Sequence, residues 1–245
     1  MEKIKKNNGQ KIGILGGLSW ESTIEYYRLI NQEFQTRFGG LCSARLIIES
    51  YNFEEIETLQ RNGEWAKITA ILIDSAKKLV KSGAEVIIIA TNTLHKLVPQ
   101  LQKEIDAPIF HIADATAKEI LKNNYKKVLL LGTKYTMQED FYKGKLTYEY
   151  NIEVLTPTLW EQKIIHAVIF EELCKGICSE EAKKAILSII EKGKAQGAEA
   201  VVLGCTELPN LITSSSLPIL NTAQIHSVGV VEYALGGVLS TSLAK

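Results

Sequence analysis

Two short segments of this 245-residue chain end in residues capable of moving protons. GAEVIIIATNT, residues 83–93, reappears as GAEAVVLGCTE, residues 197–207, at an offset of 114 residues. In each copy an apolar run reads as a buried parallel strand, with small polar residues at its carboxyl end. Thr91 closes the first run and Cys205 the second. A thiol titrates near about 8.5 and nearby donors can tune it downward, so the thiolate of Cys205 can take a proton from carbon. A threonine hydroxyl is far less acidic. It suits the delivery of a proton, directly or through a water. Two such groups on opposite sides of one carbon could remove hydrogen from one face and return it to the other without moving the substrate.

The elements that must position this pair alternate short apolar runs with longer amphipathic stretches, the pattern of an α/β protein. Strands are expected at IGILG (12–16), ARLIIES (44–50), EVIIIAT (85–91), PIFHI (108–112), KVLLLGT (127–133), AVVLGCT (200–206) and PILNT (218–222). Two further pairs repeat in the same order: KIGILGG at 11 with KVLLLGT at 127, and PIFHI at 108 with PILNT at 218. Three pairs at a nearly constant offset predict two duplicated, pseudo-two-fold related parallel-sheet domains flanked by helices. The expected bounds are 11–115 plus about 222–245 for the first unit, 116–221 for the second, and a tail over 1–10. Open parallel sheets bind ligands beyond the carboxyl ends of their strands, where Thr91 and Cys205 fall.

Composition limits the partners. With 28 basic and 28 acidic residues the chain has no net charge, which argues against nucleic acid and points to a small-molecule ligand. No apolar stretch approaches the roughly 20 residues of a membrane helix, and MEKIKKNNGQ reads as a tail before a strand, not a signal peptide. The expected location is cytoplasmic, where the four cysteines are thiols. Cys174 and Cys178 have no other ligand residue in register, so packing is the expectation for them and no metal site is read.

Asn92, Thr93, Thr206 and Glu207 flank the two proton carriers. They are the expected donors to a substrate carboxylate and partners of its ammonium group, although a carboxylate at Glu207 also suits the first turn of a helix. Gly16-Gly17-Leu18-Ser19 follows the first strand. The glycines let backbone amides approach a ligand, and Ser19 can cap the helix WESTIEYYRLINQEF. G-x-G-x-x-G and the P-loop pattern are both absent. His95 is the histidine best placed to tune the site, whereas His111, His166 and His226 stand isolated in the sequence. Nothing in the spacing forces Lys163 or Arg61 inward.

Taken together, ILGGLSWEST, NFEEIETLQRNGEW, ATNTLHK, HIADAT and LGCTE resemble the aspartate/glutamate racemase family from about residue 11 to nearly the C-terminus. The resemblance implies two facing α/β domains, no cofactor, two catalytic residues in pseudo-symmetric positions and a homodimer. It also directs Leu18 and Ser19 toward the substrate pocket and Gln60 toward the substrate's distal carboxylate. The family's usual first motif is Cys-Asn-Thr, and this chain has Thr91-Asn92-Thr93. That Thr/Cys pair is similar to the branch specific for L-aspartate and L-glutamate, in which the second cysteine faces the Cα–H of the L-isomer. Without a pyridoxal electron sink, preorganised donors must hold the developing negative charge. The implied reaction is cofactor-independent racemisation of aspartate or glutamate. The competing readings are a hydantoin racemase or maleate isomerase, and a binding protein that lost one catalytic cysteine.

Overall fold

The computed structural model describes residues 9–236, so the expected tail over 1–10 lies mostly outside the described residues, as do 237–245. Two compact units divide the chain. One comprises the chain up to Ala90, Leu97–Phe110 and Ser227 onward; the other comprises Thr91–Lys96 and His111–His226.

The first unit contains strands β1 (Ile12–Gly16), β2 (Leu46–Ser50) and β3 (Val86–Ile89), with helices α1 (Trp20–Phe38), α2 (Phe53–Arg61), α3 (Trp65–Lys81) and α4 (Val98–Leu101). Its sheet has the order β2-β1-β3, all parallel, and a parallel bridge joins Ile87 to Ile109. Strands β1 and β3 are buried along their full length, as their unbroken apolar runs require, while β2 is half-buried. Helix α1 buries Tyr26, Ile30 and Phe34, and α3 buries Ile68, Leu72, Ala76 and Leu79, each a stripe at helical spacing.

The second unit contains α5 (Ile112–Lys122), β4 (Lys127–Gly132), α6 (Lys134–Gln138), β5 (Glu153–Leu155), α7 (Leu159–Ala167), α8 (Glu180–Ala195), β6 (Ala200–Gly204), α9 (Leu208–Leu211) and β7 (Ile219–Asn221). Its sheet runs β5-β4-β6-β7, again all parallel. Alternate residues of β4 and β6 enter two different cores. Leu129, Leu131, Val201 and Leu203 pack with Ile165, Ile186 and Ile190 of α7 and α8, while Val128, Leu130, Ala200 and Val202 pack with Ile112, Ala117, Ile120 and Tyr142. This two-sided burial explains why the strands lack a polar face. The covering helices start on caps written in the sequence: Thr158 and Glu161 form a capping box for α7, and Ser179 caps α8 ahead of Glu180 and Glu181. The last helix, α10 (Thr222–Ala234), begins in the second unit and ends in the first.

The duplication reaches individual hydrogen bonds. Glu85 N–H donates to the Lys11 carbonyl and Glu199 N–H to the Lys127 carbonyl, both at 2.8 Å. The Lys11 and Lys127 amides donate in return to the Glu85 and Glu199 carboxylates. Ile87 N–H meets the Pro108 carbonyl and Val201 N–H the Pro218 carbonyl, both at 2.9 Å.

One expectation is corrected and one strand is added. PIFHI forms a single bridge at Ile109 in place of a strand, because the His111 side chain accepts the Ala113 amide and starts α5 at Ile112. The edge strand β5 was not anticipated; its three partly exposed residues carry too little apolar pattern to signal it.

Candidate active site

Thr91, Asn92, Thr93, Cys205, Thr206 and Glu207 all fall in the second unit, and Leu18, Ser19 and Gln60 fall in the first. Local structure accounts for each group. Strand β6 ends at Gly204, paired in register with Gly132 at the end of β4. A Cβ on Gly132 would strike the Gly204 carbonyl, so these glycines allow the two strand ends to lie close. Thr133 and Cys205 follow directly.

Cys205 is buried, and its thiol donates to Glu207 Oε2 at 3.0 Å. The Thr206 hydroxyl donates to the same oxygen at 2.7 Å. Burial, and secondly the Glu207 carboxylate, push the thiol well above the ordinary cysteine range. The resting group is therefore a thiol and not the thiolate expected from the sequence. An acceptor already stands beside it.

The Thr91 segment is tied to the same strand end. Asn92 Nδ2 donates to Thr222 Oγ1 at 3.1 Å, and the Thr222 hydroxyl donates to the Leu203 carbonyl at 2.8 Å, two residues before Cys205. Asn92 Oδ1 is buried with no hydrogen-bond partner, an acceptor available to an incoming N–H. The Thr93 and Thr133 hydroxyls are 2.9 Å apart, and Thr133 lies 3.3 Å from the Thr136 hydroxyl. Thr133 was not singled out from the sequence. The repeat contained the signal, since KVLLLGT aligns with KIGILGG and sets Thr133 against Gly17, next to the Leu18-Ser19 motif.

In the first unit Ser19 is the N-cap of α1, its Oγ accepting from Ser22 N–H at 3.3 Å, and Leu18 is buried beside it. Gly17 adopts φ 68°, and a Cβ there would collide with the Tyr51 backbone. Gln60 is buried on α2. Arg61 and Lys163 are exposed. Cys174 packs against the core that includes Cys205, and Cys178 is exposed. Far from being isolated, His111 and His226 set their rings against His95, with centroids at 4.8 and 5.3 Å.

Duplicated parallel-sheet units with a threonine and a cysteine at matched strand ends define a class of two-unit α/β protein with a hydroxyl and a thiol just beyond equivalent strands. A sequence profile described as Asp/Glu/Hydantoin racemase matches residues 15–228, and the chain belongs to that family. It is similar to a candidate Asp/Glu racemase from Yersinia pestis, with 43% identity, a TM-score of 0.86, and coverage of 92% of this chain and 99% of that one. An aspartate racemase homologue from Pyrococcus horikoshii OT3 superposes with a TM-score of 0.79 at 40% identity, over 92% of this chain and 99% of the other. The broad-specificity amino-acid racemase RacX of Bacillus subtilis is 25% identical over 86% of this chain and 92% of its own length. Among the described residues, no helix is long and apolar enough to cross a membrane.

Proposed function

We propose that the chain is a cofactor-independent racemase of acidic amino acids, aspartate and glutamate, that favours the L-isomers and works in the cytoplasm as a homodimer. The observation that carries the chemistry is the 3.0 Å contact from the Cys205 thiol to the Glu207 carboxylate, in the unit that also holds Thr91, Asn92 and Thr93. When substrate enters, the Cys205 proton passes to Glu207, and the thiolate takes the Cα–H of the L-isomer. The unpartnered Asn92 Oδ1 accepts from the substrate ammonium group. The paired hydroxyls of Thr93 and Thr133 supply a donor for the carboxylate as charge builds on it, while the Thr206 hydroxyl, donating to Glu207, holds that carboxylate beside Cys205. Thr91 then gives its hydroxyl proton to the opposite face of Cα. The proton held on Glu207 returns through water to Thr91, which restores both groups and leaves the regenerated thiol on Cys205.

Incubation with L-aspartate and L-glutamate in D₂O tests this reading. Loss of the Cα–H and appearance of the D-isomer are expected, and Cys205→Ser should abolish both. Ligand-induced thermal stabilisation with no Cα–H exchange would instead identify a binding protein.

A further inference from the structure

Three clustered histidines, His95 and His226 buried and His111 partly buried, take no part in the proton transfers described above. His95 is fully buried in the turn that follows Thr93, with Nδ1 2.8 Å from the carbonyl oxygen of Thr91. A carbonyl only accepts, so Nδ1 carries the hydrogen and Nε2 is a bare acceptor. That Nε2 is buried with no hydrogen-bond partner. His111 is locked in the complementary form. Its Nδ1 accepts the Ala113 amide at 3.1 Å at the start of α5, which leaves its hydrogen on Nε2, and its ring is hydrogen-bonded to the backbone of His95. Burial holds both imidazoles below their usual range, His111 at about 4, so both are neutral at neutral pH.

We propose that His95 is a positioning residue for Thr91, the end of a chain of fixed tautomers that runs from the Ala113 amide through His111 and His95 to the Thr91 carbonyl. The proposal rests on the reading of Thr91 given above. By pinning the peptide plane that follows Thr91, the chain fixes where the Thr91 hydroxyl points, and a proton donor misplaced by about 1 Å can lose on the order of 100-fold in rate. An apolar side chain would fill the same space without leaving a buried nitrogen unpaired, so packing alone does not account for an imidazole here.

The test separates the two faces of the substrate. In D₂O, deuterium entering recovered L-substrate reports the Cys205 face alone, whereas formation of the D-isomer requires Thr91 as well. His95→Asn sets an amide N–H near the position of Nδ1; His95→Gln sets it near Nε2, with the same polarity. The Asn variant should keep the ratio of inversion to exchange near that of the unmodified protein. The Gln variant should lower it by roughly 100-fold while exchange into the L-isomer continues. His111→Gln should lower it in the same direction and provides the measurement if the His95 variants do not fold. An unchanged ratio in His95→Gln, or inversion and exchange falling together in every variant, overturns the proposal. Absence of exchange in the unmodified protein overturns the reading of the site itself, which is a different failure.

Discussion

The thiol of Cys205 and the carboxylate of Glu207 form a hydrogen-bonded pair at the end of β6, 3.0 Å apart and buried. The carboxylate both opposes ionisation of the thiol and offers a place for its proton. Glu207→Gln removes the acceptor and the charge together. Racemisation should fall on the order of 100-fold or more. Because the neighbouring negative charge contributes to the upward shift, the variant thiol should ionise at lower pH. Iodoacetamide alkylation of Cys205 as a function of pH reads this directly: the rate profile of the variant should move to lower pH. A profile that stays in place would remove Glu207 from the proton path.

The mismatch between Thr91 and Cys205 predicts unequal traffic in the two directions. Cys205 paired with Glu207 can become a base, whereas a threonine alkoxide is too basic to be populated. At saturating substrate, initial rates followed by circular dichroism should be greater from the L-isomer than from the D-isomer, while kcat/KM stays equal in the two directions because the isomers are equal in energy; Thr91→Cys should bring the two saturated rates together. Equal saturated rates from both enantiomers of the unmodified protein contradict the asymmetric mechanism.

Buried neutral histidines make the fold sensitive to acid. His111 titrates at about 4 in the folded protein because burial disfavours its charged form, and His95 is lowered well below the usual value for the same reason. An unfolded histidine titrates near about 6.5, so between that pH and about 4 the unfolded chain binds more protons than the folded one. Their stabilising contribution is complete above about 6.5 and is lost as pH falls through that window. Each steepens the decline by up to about 1.4 kcal/mol per pH unit. Thermal melts between pH 4 and 8 should show a shallower acid slope for His111→Gln than for the unmodified protein.

Packing around the second sheet gives two predictions of different size. Leu203 on β6 is fully buried between α7, α8 and β4, so Leu203→Ala should cost about 2–5 kcal/mol in urea unfolding. Tyr142 is also fully buried, with its hydroxyl 2.9 Å from Thr116 Oγ1. Tyr142→Phe should cost only about 1 kcal/mol, since Thr116 keeps its bond to the Ile112 carbonyl at 2.9 Å. A loss as large as that of Leu203→Ala would mean that the hydroxyl anchors more than this one pair.

Much of the scaffold was legible because parallel strands buried on both faces must be written as continuous Ile, Val and Leu runs. Strands β1, β3, β4 and β6 follow from that requirement, and their matched spacing carries the duplication. The end of PIFHI was misread because its local pattern suits a strand, while the choice between strand and helix was made by the His111 side chain capping α5. Strand β5 escaped notice for the opposite reason: a short edge strand has little surface to bury.

The sequence by itself determined the α/β class, the repeat, and the identity of the residues at the strand ends, Thr91 and Cys205 among them, since local pattern and spacing record all three. The tertiary structure alone decided the state of those residues. Proton affinity depends on burial, and only the packed core of the second unit, closing over Cys205 beside its near neighbour Glu207, raises the thiol well above the ordinary range. The same holds for His95 and His111, sixteen residues apart in sequence: local partners set their tautomers, but only the fold brings their rings to 4.8 Å and keeps them neutral by burial.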